Sequence, residues 1–209
     1  MPLPLLLFGY GSLLYEPERP DAIIDRFSAR LDGLSRRFNK PSQPRGIRRC
    51  DASWHGSLPG LPEDAFATDQ HYLSLALGTC RGGSMDGEVL VYADHAADDV
   101  LARMHRREGV RHPTAPSPRD HYRCEELAVV ASGRTVQATS WISNPGGDWH
   151  IEGLALHQEA AVLRRATPAV PESRAKGAEY LFGVEAGLAS RGLADPYISA
   201  LADAVRALA

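Results

Sequence analysis

Apolar positions come in short strand-like runs up to about Ile142, and at helical spacing from there to the C-terminus. Leu5-Leu6-Leu7-Phe8-Gly9 is a continuous apolar run, the pattern of a strand covered on both faces. Pro20 to Phe27 brings Ile23, Ile24 and Phe27 onto one helical face, which predicts a short helix. Residues 29–38 read as a second strand interrupted by Gly33. From Lys40 to Ala67 the composition turns to Pro, Gly, Ser and Arg, which reads as a long ordered loop. Strands return at 71–77 and 87–92. Asp94 to Arg107 is a helix with Asp94 as N-cap, a buried stripe of Ala97, Val100, Leu101 and Met104, and Gly109 as its terminator.

Three prolines in 111–119 exclude helix and central strand there. Tyr122–Ala131 and Thr135–Ile142 form a hairpin joined at Ser132-Gly133. Helices follow at 157–166 and 175–190, the second stopped by Gly192. A last helix has Asp195 as N-cap and Pro196 at its first position, and buries Ile198, Leu201, Ala202, Val205 and Leu208. Strands first and helices last make an α+β class, expected as one domain over 1–209. A compact antiparallel barrel or strongly bent sheet with flanking helices would suit it.

The 209 residues suffice for a real core, and a net charge of -3 gives no electrostatic reason to expect nucleic acid or an anionic membrane as partner. Cys50, Cys80 and Cys124 are odd in number and widely spaced, which fits a reducing compartment. The N-terminal apolar stretch lacks a basic region and is only about six residues long, too short for a signal peptide. No segment approaches the roughly 18 apolar residues of a membrane span. The expectation is a cytoplasmic protein. The eight histidines show no HExxH or Cys/His ligand spacing, so neither a metal nor a cofactor is called for.

Two places carry candidate chemistry. Phe8-Gly9-Tyr10-Gly11-Ser12-Leu13 ends the first strand in a tight turn, where amides without ladder partners can hold an anion or a polarised carbonyl oxygen. Gly9 and Gly11 are expected to supply backbone angles that other residues resist. A dinucleotide fingerprint would need Gly or Ala where Leu14 stands, and a nucleophile elbow would need a glycine after Ser12-Leu13. A purely structural turn is the bland alternative. The second place is Glu108, a carboxylate at the negative end of a helix, where a cation is the ordinary choice. That placement raises its pKa, while Arg106 and Arg107 pull the other way; a solvated glutamate is the bland alternative. His105 and His112 flank it as pocket candidates. Arg45, Arg48 and Arg49 read as a solvated loop face, with steering of an acidic peptide as the other reading.

Together these pieces resemble the γ-glutamylcyclotransferase superfamily, including its ChaC-like, glutathione-specific branch. The match runs through Phe8-Gly-Tyr-Gly-Ser-Leu13, Gly87-Glu-Val-Leu-Val-Tyr92, Glu108-Gly109-Val110, Tyr122, Gly177-Ala-Glu-Tyr-Leu181 and Gly192-Leu-Ala-Asp-Pro196, in the family's order. Leu13 stands where many members have asparagine, as in the ChaC-like branch. The 40–67 and 111–119 segments match no family pattern. The resemblance implies a cofactor-independent release of 5-oxoproline from a small γ-glutamyl substrate, with Glu108 as general acid/base and Tyr10, Gly11, Ser12, Leu13 and Tyr122 binding it. A carboxylate-binding module, or a hydrolase with Ser12 as nucleophile, are the alternatives. The leaving group and the oligomeric state are left open.

Overall fold

The computed structural model describes residues 4–111 and 117–208. Five strands, β1 (Leu5–Gly9), β2 (Ile23–Arg48), β3 (His71–Tyr92), β4 (Tyr122–Ala131) and β5 (Arg134–Ser143), form a closed barrel in the order β1-β3-β2-β4-β5. All pairings are antiparallel except the closing one, where β1 meets β5 in parallel at Leu7 and Thr139. The helices are α1 (Ala97–Glu108), α2 (Leu156–Arg165), α3 (Ala178–Ala189) and α4 (Pro196–Arg206). This is the expected α+β class with a helical C-terminal region.

Two very long strands make the barrel possible. β2 and β3 pair along almost their whole length, with register shifts at Ile23/Asp25, Asp32/Leu34, Phe38/Lys40 and Ser42/Ile47. Such bulges bend a strand and raise its twist, which lets one pair wrap most of a barrel. The helix expected at 20–27 is absent. Pro20–Ala22 makes a single 3-10 turn, and from Ile23 the chain is strand, pairing with Tyr92 through Val89. The bulge between Ile23 and Asp25 puts the two on different faces, Ile23 with the cluster of Leu7, Leu90 and Tyr92 and Phe27 with the larger core, and the edge of β3 draws the segment into the sheet. The loop expected from Lys40 begins only after Arg48. Lys40, Pro41 and Ser42 pair with Ala76, Leu75 and Ser74, and Pro44 falls inside the shift between Ser42 and Ile47, where a missing N–H breaks no ladder bond. The strands expected at 71–77 and 87–92 are the two ends of β3.

Asp94 opens a 3-10 turn and does not cap α1, whose N-cap is Ala96. The other end is as expected: Gly109 has φ 66°, and Val110 N–H bonds to the carbonyl of His105 at 2.9 Å. α1 buries Val100 and Met104 against Leu7, Leu13, Leu90, Tyr122 and Trp141, which docks its C-terminal turn beside the end of β1. Ser132 (φ 47°) and Gly133 (φ 75°) turn the β4–β5 hairpin. α2, α3 and α4 pack as a second layer, with Leu163, Leu181, Val184 and Leu201 fully buried against barrel residues such as Phe8, Phe38 and Leu75. Asp195 caps α4, accepting from the amides of Tyr197 and Ile198. No helix among the described residues is long and apolar enough to cross a membrane.

Candidate active site

β1 delivers its last residues into a one-turn 3-10 helix, Ser12–Leu14. Its bonds engage the amides of Leu14, Tyr15 and Glu16, and leave those of Gly11, Ser12 and Leu13 without a partner inside the turn. Gly11 takes φ -131° and ψ -129°, outside the ordinary strand and helix regions, and neither Gly9 nor Gly11 has a positive φ. Crowding is what demands glycine: a Cβ on Gly9 would lie 2.9 Å from that of Leu13. Tyr10 is held at both ends, its hydroxyl donating to the Trp141 carbonyl at 2.6 Å and its carbonyl accepting from Arg36 Nε at 2.7 Å. Arg36 also pairs with Asp195 at 2.7 Å, so the residue that caps α4 braces the loop as well.

Phe8, Tyr10, Gly11, Ser12, Leu13, Leu77, Met104, Glu108, Tyr122, Ser140, Trp141 and Tyr180 enclose an inner cavity of about 40 Å³. It opens into an outer cavity of about 230 Å³, the two sharing Ser12, Glu108, Tyr122 and Tyr180. All six expected site residues therefore meet in one place. Glu108 exposes 17% of its side chain, and burial raises its pKa against the pull of Arg107, Arg45, Lys40 and Arg174. Arg107 links the two halves of the site, approaching Glu108 Oε1 at 3.5 Å and donating to Ser12 Oγ at 2.9 Å, while Glu18 takes up its charge at 3.0 Å. Burial also raises the pKa of Tyr10, Tyr122 and Tyr180, so their hydroxyls stay protonated donors; that of Tyr122 donates to the Leu77 carbonyl.

Several lining residues escaped the sequence reading. Arg45 is not solvated: it is 6% exposed, lies 4.2 Å over the Tyr180 ring and donates to the Ala175 carbonyl at 3.0 Å. Arg48 and Arg49 remain on the surface. Lys40 and Arg174 come from segments with no short motif, Tyr180 from the Gly177–Leu181 stretch that was matched without being singled out, and Trp141 from the middle of a plain strand. His105 does not line the cavity; it accepts from Trp141 Nε1 at 3.3 Å behind it. His112 and most of the proline-rich stretch lie outside the described residues.

A larger cavity of about 580 Å³ lies elsewhere, between β2, β3, β5 and residues 145–154, and shares no residue with the loop or with α1. Its buried carboxylate, Glu159, is already bound by Arg37 and Tyr197, each at 2.8 Å. Size alone would favour that cavity; the smaller one is lined by a carboxylate and by three amides without an acceptor among the described residues. No three His, Cys, Asp or Glu side chains among the described residues are grouped to hold a metal ion.

No family model and no curated protein matches the chain. Solved structures do. Two crystal structures of a γ-glutamyl cyclotransferase specific to glutathione from yeast superpose with TM-scores of 0.69 and 0.66, at 17% and 18% identity. The alignments cover 99% and 98% of this chain and 97% and 99% of theirs. YkqA from Bacillus subtilis aligns with a TM-score of 0.55 and 16% identity over 97% of this chain and 54% of its own. The chain shares the fold of the yeast cyclotransferase along its whole length.

Proposed function

We propose that the protein is a γ-glutamyl cyclotransferase that releases 5-oxoproline from glutathione or a related γ-glutamyl amino acid or amine. The observation that carries this reading is that Glu108 lines one small cavity together with Gly11, Ser12 and Leu13, whose amides have no hydrogen-bond acceptor among the described residues. The likeness of fold to a cyclotransferase specific to glutathione supports it.

The α-amino group of the glutamyl unit attacks that unit's own γ-carbonyl carbon. A C–N bond forms to close the five-membered lactam, and the bond to the leaving nitrogen breaks. Glu108 as carboxylate takes the proton released by the attacking nitrogen and returns it to the leaving nitrogen, a role worth about 10²–10⁴-fold. Its raised pKa makes it a stronger base than an exposed glutamate. The loop amides bind the substrate carboxylate and the developing oxyanion. Nucleophile and electrophile share one molecule, so a tight cavity that keeps the glutamyl chain folded supplies much of the remaining acceleration. The leaving group extends into the outer cavity among Lys40, Arg45 and Arg174.

Ser12 as a hydrolytic nucleophile is the weaker reading, because its Oγ faces the permanently protonated Arg107 and no base is bonded to it among the described residues. Mass spectrometry after incubation with a panel of γ-glutamyl compounds tests the proposal. Release of 5-oxoproline with the free amine is expected. Free glutamate would mean hydrolysis, and saturable binding without turnover would mean a binding module.

A further inference from the structure

Lys40 is 1% exposed and makes no ion pair among the described residues. A buried ammonium group without a carboxylate partner is unusual and costly. Its Nζ donates to the carbonyls of His121 and, at 3.3 Å, of Trp149, and lies 4.2 Å from the centre of the Tyr122 ring. The His121 and Trp149 rings are stacked, 4.5 Å apart and 13° from parallel. That stack abuts the residue after Glu108: a Cβ on Gly109 would lie 2.8 Å from His121 Cδ2. One amine on β2 thus pins the start of β4 and the 145–154 segment against the C-terminal turn of α1.

We propose, resting on the cyclotransferase reading, that Lys40 is a positioning residue. Its ammonium group clamps the His121–Trp149 stack behind Glu108 and adds its positive charge to those of Arg107 and Arg45 beside the Glu108 carboxyl.

The charged and titratable groups around Lys40 are Glu108 and Arg107 from α1, His121 and Asp120 ahead of β4, and Tyr122 on β4. Arg106 on α1, Arg111 after it, Arg45 on β2, Arg174 ahead of α3 and Tyr180 on α3 are the others. Of these, Glu108 pulls the lysine pKa up, yet burial prevails and leaves it at about 8. Lys40 is therefore charged at neutral pH and loses its charge just above.

The test is the pH profile of kcat/KM for 5-oxoproline release by wild type, Lys40→Met and Lys40→Arg, with the Glu108 carboxyl followed by ¹³C NMR. Wild type should lose activity on the alkaline side near pH 8, and Lys40→Arg should extend its plateau by at least one pH unit. Lys40→Met should lower kcat at least about tenfold, with a smaller change in KM, and move both the acid limb and the Glu108 titration to higher pH. Profiles that superimpose, or a Glu108 titration that stays in place, would overturn the proposal. If Lys40→Met fails to fold, Lys40→Gln keeps a donor for the carbonyls, removes the charge and is judged by the same two readouts. If no γ-glutamyl compound yields 5-oxoproline, the cyclotransferase reading falls, and the NMR titration still decides whether Lys40 sets the charge of Glu108.

Discussion

Replacing Glu108 by glutamine should lower activity and raise stability together. The amide keeps the shape of the side chain but cannot accept the proton, so turnover should fall about 10²–10⁴-fold, equivalent to about 3–5 kcal/mol of barrier. The stability effect has the opposite sign. Burial raises the folded-state pKa of Glu108 above its ordinary value of 4.5. A carboxyl shifted in that direction contributes stability below the unfolded-state pKa and loses it as pH rises through the folded-state value. At pH 7 the ionised group therefore weakens the fold, and it also sits at the carbonyl end of α1. A charge at that end is worth about 0.3–1 kcal/mol, or a rise of roughly 1–4 °C in melting temperature once the charge is gone. Arg107 retains Glu18 at 3.0 Å and Ser12 at 2.9 Å, whereas Lys40 keeps its two carbonyl partners and loses the carboxylate that favours its charge. The assay pairs 5-oxoproline release with thermal unfolding at pH 7 and pH 4. Expected are a large loss of turnover, a higher melting temperature at pH 7 and no difference at pH 4. A variant that keeps turnover within tenfold of wild type, or melts lower at both pH values, would refute the reasoning.

Ser12→Ala should still release 5-oxoproline, at a rate reduced by no more than about tenfold, because it deletes one hydrogen bond worth about 1 kcal/mol; loss of all turnover, or an acyl-enzyme trapped on wild-type Ser12, would restore the hydrolase reading. Asp195→Ala should cost about 3–5 kcal/mol, because it uncaps α4 and strands Arg36, whose side chain is 1% exposed. Chemical denaturation measures that loss. A raised KM should accompany it, since Arg36 also holds the Tyr10 carbonyl.

The two poles of the site were legible because each is a local event. An apolar run ending in Gly9-Tyr10-Gly11-Ser12 marks where a buried strand stops and amides come free. A helix that Gly109 terminates marks where Glu108 must sit. The β4–β5 hairpin and the α4 cap were readable for the same reason, since Ser132-Gly133 and Asp195-Pro196 act on their own neighbours. The strand at Ile23–Phe27 was not readable: its apolar spacing is helical, and a bulge after Ile23 against the edge of β3 makes it strand. Nor was the strand at Lys40–Arg48, where Pro41 and Pro44 suggest a loop, although Pro41 pairs with Leu75 and a bulge absorbs Pro44.

Burial of Lys40 and Arg45 was hidden more deeply. Short-range pattern says that a cation belongs in water, and only the closing of the barrel beneath Tyr122 and Tyr180 places these two inside. The sequence alone determined which residues could do chemistry and on which elements they ride, because turns, caps and helix ends are set by neighbours a few positions apart. Only the tertiary structure decided that Glu108 and the loop would line one cavity of about 40 Å³ and that four cationic side chains would act on the carboxyl. Distances between residues about a hundred positions apart depend on how β2 and β3 bend, and that bend is a property of the whole sheet.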